Sequence, residues 1–174
     1  GKTHAGLLPI ASTGTNGPAS GHRLGVHVYL DSDPLPAGKT CRIAIVLDVE
    51  PGWHINANPV RPSFLIPTTV TLRSKHGTVF ADLVYPEPDR LTVQGIEEPV
   101  LVYEGRIILS GRLRVPAEAA SQVEELRFDV RYQACNDQMC EPPKMLSLEA
   151  RVPVGPKDAP SRPINGPLFQ ERGN

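Results

Sequence analysis

Long apolar runs are missing from this sequence. No stretch approaches the ~20 residues that a membrane-spanning helix needs, and no charged segment leading into an apolar one opens the chain as a signal peptide would. The chain is therefore expected to be soluble as it stands. Charge of one sign is missing as well: 18 Lys and Arg against 19 Asp and Glu leave a formal charge of −1. Without a basic patch interleaved with aromatics there is no electrostatic footprint for nucleic acid, which is not an expected partner. Helical periodicity is nearly absent, the best stretch being a short turn through Pro116 to Gln122. Hydrolytic signatures are lacking too, with no Gly-x-Ser-x-Gly elbow and no Gly-rich phosphate loop. The pairs Glu87 with Asp89 and Glu97 with Glu98 do not supply acid–base chemistry by themselves, because carboxylates this close along a strand are common.

What the sequence has in abundance is punctuation. Its 19 prolines and 15 glycines separate about nine short runs with strand character. Among them are Leu24 to Leu30, the apolar run containing Cys41 and ending before Pro51-Gly52, Pro67 to Arg73, Val79 to Tyr85, Val100 to Tyr103, Arg106 to Val115, Glu125 to Tyr132 and Met145 to Val152. The last two alternate apolar and polar residues, the period of a half-buried strand. The pattern predicts an all-β fold, an immunoglobulin-like antiparallel β-sandwich. At 174 residues one domain is expected, large enough to bury a core without disulfides. Residues 1–22 read as a flexible arm, 23–154 as the domain, and 155–174 as a Pro-rich tail or linker.

Only three cysteines are present. Cys41, in Thr40-Cys41-Arg42-Ile43-Ala44-Ile45, is expected to be an inert core thiol. Cys135 and Cys140 flank a four-residue loop between two strand-like segments, and residues opposed across an antiparallel pair come close enough for a disulfide. As a staple such a bridge is poor, since a ring this small stabilises by roughly 2 kcal/mol against about 4.7 for a loop of 100 residues. Pro142 and Pro143 remove two backbone donors, which suits an exposed edge that a partner can reach. Spacing alone leaves both readings open, a structural bridge in a binding or assembly module and a redox-active pair.

Five segments, taken together, favour the redox-active pair and leave the structural bridge as the alternative. Pro51-Gly52-Trp53-His54-Ile55-Asn56-Ala57-Asn58-Pro59, Ile66-Pro67-Thr68-Thr69-Val70, Tyr85-Pro86-Glu87-Pro88, Val102-Tyr103-Glu104-Gly105 and Tyr132-Gln133-Ala134-Cys135 with Cys140-Glu141-Pro142-Pro143 occur in that order. The chain resembles, over roughly Val26 to Val154, the amino-terminal domain of DsbD-type thiol:disulfide interchange proteins, the disulfide bond corrector family. The Tyr-Gln-Ala-Cys opening with the Cys-x-Pro-Pro closing is the most specific part. The resemblance implies an immunoglobulin-like domain in the bacterial periplasm with protein-disulfide reductase activity and neither metal nor flavin. It implies a relay from a thioredoxin-like donor, fed by a membrane electron conduit, to periplasmic thiol proteins such as disulfide isomerases or the thioredoxin-like proteins of cytochrome maturation. The Pro-rich tail permits both a freestanding domain and one tethered to a membrane protein.

Carried over residue by residue, Cys140 is the sulfur that forms mixed disulfides and Cys135 the one that resolves them. Asp137 and Glu141 would raise a thiol pKa, and Arg131 and Lys144 would lower it. Two positions depart from the family pattern. The loop matching the family's aromatic cap is Gln94-Gly95-Ile96-Glu97-Glu98-Pro99, with two carboxylates and no aromatic, and tyrosine positions beside the disulfide fall at His54 and Asn56. Glu97 and Glu98 are accordingly expected near the disulfide as tuning or proton-transfer groups, with Ile96 or Pro99 as a partial lid. A copper site from His54, Met139, Cys135 and Cys140 is not expected, for no second Cys pair or His-x-x-x-His accompanies them, and zinc lacks four ligands at recognised spacing.

Overall fold

Strand-forming residues dominate from Leu24 onward, and they build strands almost wherever branched and alternating side chains recur. The computed structural model describes residues 6–14 and 17–170. In chain order the strands are β1 (Ala11–Ser12), β2 (Leu24–Leu30), β3 (Ser32–Asp33), β4 (Thr40–Val49), β5 (His54–Asn56), β6 (Thr69–Ser74) and β7 (Val79–Val84). There follow β8 (Asp89–Leu91), β9 (Val100–Tyr103), β10 (Arg106–Arg114), β11 (Val123–Tyr132), β12 (Ala134–Cys135), β13 (Lys144–Pro153) and β14 (Arg162–Pro163). The expected helical turn is a single 3-10 turn, Ala117–Ala119, and a second lies at Gly166–Leu168. Among the described residues no α-helix occurs, and no helix is long and apolar enough to cross a membrane.

The fold is all-β and of the immunoglobulin-like sandwich type, as the sequence predicts. One sheet runs β1-β2-β4-β10-β7 and a second runs β13-β11-β6, every pairing antiparallel. In β11 the residues Leu126, Phe128, Val130 and Tyr132 point inward while their neighbours face outward, and β13 contributes Leu146, Leu148, Ala150 and Val152 in the same way. They pack into one core with Val26, Val28, Ile43, Ile45, Leu47 and Leu109 of the larger sheet. A smaller sheet, β12-β5-β9-β8, carries Cys135, and Cys140 is bridged to it.

Both ends of the described chain lie against this body. In the span read as a flexible arm, β1 pairs with β2, and Ile10 and Thr13 donate backbone hydrogen bonds to Val28 and Val26. Gly25 has no side chain because the carbonyl of Gly17 occupies the space a Cβ would need. In the span read as a tail, β14 pairs with β3, and the buried Asn165 receives Leu8 N–H on its Oδ1 (2.7 Å) and donates Nδ2 to Leu30 O (2.8 Å). Over these residues packing replaces the expected freedom. A mix of Gly, Ser and Pro carries no period, yet its backbone groups still find partners on exposed strand edges. Residues 1–5, 15–16 and 171–174 of those spans lie outside the described part.

Candidate redox site

Strands β11 and β13 form one long hairpin, and the loop that holds the disulfide is the excursion at its end. Their last pair is Tyr132 with Lys144, after which the chain leaves the ladder. Ala134 and Cys135 then pair with Ile55 and His54 of β5, so Cys135 belongs to the small sheet and not to the hairpin that delivers it. Asn136 N–H donates to Met139 O (2.8 Å) and Glu141 N–H to Ala134 O (2.9 Å), which leaves Cys135 and Cys140 as the pair between those two bonds. This is the closer of the two antiparallel pair types. The Cα atoms are 4.0 Å apart and the sulfurs are joined in a disulfide. The loop between them is held by Asn136, whose Oδ1 accepts from Gln138 N–H and Met139 N–H, both at 2.8 Å.

The two sulfurs differ in access. Cys135 is buried, with 6% of its surface exposed, whereas Cys140 is exposed. A nucleophile arriving from outside meets Cys140, and the group displaced from it is the sulfur of Cys135. Cys41 plays no part here: it is a buried free thiol on β4, its pKa pushed up to about 12 by burial and by Asp31.

His54 is directly opposite Cys135 in the β5–β12 register, so both side chains project from the same face of the sheet. It is buried, and that burial lowers its pKa, with Glu104 and Asp137 acting weakly in the other direction. Burial thus favours its neutral form, and the register sets it opposite the residue that carries the inner sulfur. Asn56 faces elsewhere in function: its Nδ2 donates to Ile66 O (2.9 Å) and reaches Gln133 Oε1 (3.5 Å), and its carbonyl accepts from Thr68 Oγ1 (2.6 Å). Gln133 in turn donates Nε2 to Glu141 O (3.3 Å). Asn56 thus braces the segments on both sides of the cysteines.

Glu141 is the most heavily engaged residue of the loop. Its carboxylate accepts from Arg23 Nε (3.2 Å) and Nη2 (3.4 Å) and lies 3.5 Å from Lys144 Nζ. Those partners, Arg23 first, hold its pKa below the usual carboxylate value. His22, next to Arg23, places Nδ1 2.6 Å from the hydroxyl of the buried Tyr132. Burial, then Lys144, lowers the His22 pKa, and burial, then Glu141, raises that of Tyr132. A cleft of about 460 Å³ lies here, lined among others by His22, Arg23, Glu50 and Glu141. Sequence reasoning named Lys144 and Glu141 but missed Arg23, which is 118 residues from its partner. Arg131, expected to bear on the thiol, makes no ion pair among the described residues and points away on the outer face of β11.

The loop matching the family's cap joins β8 to β9, two strands across the small sheet from β12. Its exposed Glu97 and Glu98 and half-buried Ile96 border an open groove of about 390 Å³ whose other wall is Pro62, Ser63 and Phe64. Pro99 is exposed. Neither glutamate makes an ion pair or a side-chain hydrogen bond among the described residues. Phe64, 73% exposed, is an aromatic that the sequence reading passed over because it sits in a different loop. No group of three or more His, Cys, Asp or Glu side chains able to hold a metal ion occurs among the described residues.

A family model described as "Thiol:disulfide interchange protein DsbD, N-terminal" matches residues 29–150. No curated protein matches the chain. Among solved structures, the N-terminal periplasmic domain of ScsB from Proteus mirabilis is similar at 15% identity and a TM-score of 0.58, over 87% of this chain and 53% of that one. The N-terminal domain of DsbD from Neisseria meningitidis, in its reduced form, is similar at 8% identity and a TM-score of 0.44, over 78% of this chain and 90% of that one. The chain spans about half the length of the ScsB domain, and at that identity the likeness concerns the fold alone.

Proposed function

Since the chain belongs to the family of DsbD amino-terminal domains, we propose that it is an extracytoplasmic protein-disulfide reductase module that passes electrons between thioredoxin-like proteins through Cys135 and Cys140. The observation that carries this reading is the asymmetry of the disulfide, one sulfur exposed on a loop and the other buried behind it. In the accepting direction a donor thiolate attacks Cys140 Sγ, the Cys135–Cys140 bond breaks, and Cys135 leaves as a thiolate that takes up a proton. The donor's second thiolate then attacks its own sulfur in the mixed disulfide, releasing Cys140. Two electrons and two protons have moved from the donor dithiol to the domain.

Delivery runs the same steps in reverse. Cys140 attacks the acceptor disulfide, and Cys135, once deprotonated, attacks Cys140 Sγ and frees the acceptor as a dithiol. His54, buried and opposite Cys135 in register, is the imidazole placed to exchange the Cys135 proton. Asn56 serves by bracing. Ile96 and Pro99 enter the proposal as a partial lid with Glu97 and Glu98 at its rim, on the strength of the family match alone.

The test is to mix the oxidised domain with a reduced thioredoxin-like protein and count alkylated thiols on each chain by mass at intervals. The expected result is two new thiols on this chain for every dithiol lost from the donor. No transfer to this chain, with the donor active on another disulfide, would leave the Cys135–Cys140 bridge as a structural element of a binding module.

A further inference from the structure

Arg23 stands at the junction of the amino-terminal segment and β2, and every polar face of its guanidinium is engaged. Nη1 donates to Glu50 Oε2 at 2.9 Å, Nε and Nη2 meet the two carboxylate oxygens of Glu141 at 3.2 and 3.4 Å, and the guanidinium carbon lies 4.1 Å from the centroid of the Trp53 ring. A planar fork held in this way by a carboxylate on one edge, a second on the other and an aromatic face is fixed in position. Lys144, the other cation at Glu141, is itself tied to Gly21 O at 2.9 Å. Glu141 immediately follows Cys140, and both its backbone N–H and its carbonyl are also bonded, to Ala134 O and to Gln133 Nε2.

An unneutralised carboxylate one residue from a thiol disfavours the thiolate, and the thiolate is the attacking species. We propose that Arg23 is a positioning residue for the exchange reaction: by gripping Glu141 it cancels that residue's charge beside Cys140 and fixes the Cys140–Pro143 segment, so that the Cys140 thiolate forms at neutral pH. The inference rests on the exchange reading and names a residue that reading does not contain. The other charged or titratable groups at this end of the molecule are Asp137 in the loop, Lys144 on β13, His54 on β5 with Glu104 after β9, and His22, Tyr132 and Glu50 beside Arg23 and Glu141. Among the described residues, the cations in contact with Glu141 are Arg23 and Lys144. Arg23 is the principal cause of the lowered Glu141 pKa, which agrees with the geometry.

The reduced full chain is titrated by the rate of alkylation at Cys140 against pH, with the labelled residue located by mass. Arg23→Met is expected to move the midpoint to higher pH and to slow labelling at pH 7 roughly threefold, a shift of about half a pKa unit. Glu141→Gln should move the midpoint the other way, and Arg23→Met combined with Glu141→Gln, which removes both charges of the pair, should return the midpoint towards that of the wild type. Arg23→Lys keeps the charge and should recover most of the wild-type profile. A profile for Arg23→Met that superposes on wild type or moves to lower pH overturns the proposal, as does a double variant whose midpoint lies as high as that of Arg23→Met alone. Should Arg23→Met fail to fold, Glu141→Gln and Arg23→Lys still decide the matter, since an unchanged midpoint in the former is contradictory. Because alkylation needs no protein partner, failure of exchange with thioredoxin-like proteins would be seen separately.

Discussion

Replacing Cys135 by serine is expected to turn the domain into a trap. With Cys140 free and exposed, attack on the disulfide of an oxidised thioredoxin-like acceptor proceeds, but nothing at position 135 can attack Cys140 Sγ to release it. A covalent adduct should accumulate on non-reducing gels and vanish with dithiothreitol. Cys140→Ser leaves Cys135 as the one thiol of the pair, only 6% exposed, so adduct formation should be lost along with two-electron transfer. The assignment of roles fails if the Cys135→Ser variant yields no adduct, or if Cys140→Ser yields as much. Cys41 does not confuse the outcome, being buried with its pKa near 12.

Phe128→Ala should destabilise the domain more than reduction of the disulfide does. Phe128 is fully buried between the two main sheets, with the Phe80 ring 6.3 Å away, and removing such a side chain from a core costs about 3–5 kcal/mol. Opening a six-residue ring costs about 2 kcal/mol by the loss of unfolded-state restriction. Denaturant titration of the wild type, oxidised and reduced, beside oxidised Phe128→Ala gives both numbers on one scale. A reduction penalty exceeding the Phe128→Ala penalty would mean that the bridge is the fold's main support, and a relay could not open it repeatedly without unfolding the domain.

The parts of the fold that were readable from sequence are those where side chains repeat with a period. Leu24–Leu30 and Val100–Tyr103 carry the bounds the residues suggest, and the Val123–Tyr132 and Lys144–Pro153 ladder extends the predicted segments by one or two residues. Strand β5, three residues long, and β12, two residues long, are too short to show alternation. They exist because neighbouring strands offer unpaired edges, so the sheet that holds the cysteines was invisible even though its residues were recognised. The disulfide was readable because the spacing and the flanking motif coincide in one short stretch. Arg23 was not, because nothing local marks an arginine that pairs with a glutamate far along the chain. The docking of Leu8 and Asn165 was hidden for the same reason. His54 was noticed as a departure from the family pattern, and its position opposite Cys135 required the register.

The measurement closest to the central claim is the reduction potential of the Cys135–Cys140 pair. The purified domain is equilibrated against glutathione and dithiothreitol buffers of graded potential, quenched, and its alkylated thiols counted by mass. A relay must be open to reduction by thioredoxin-like proteins, so the account predicts a midpoint well above about −300 mV, together with rapid equilibration. A midpoint below about −300 mV with slow exchange, the behaviour of structural bridges in secreted proteins, would contradict it.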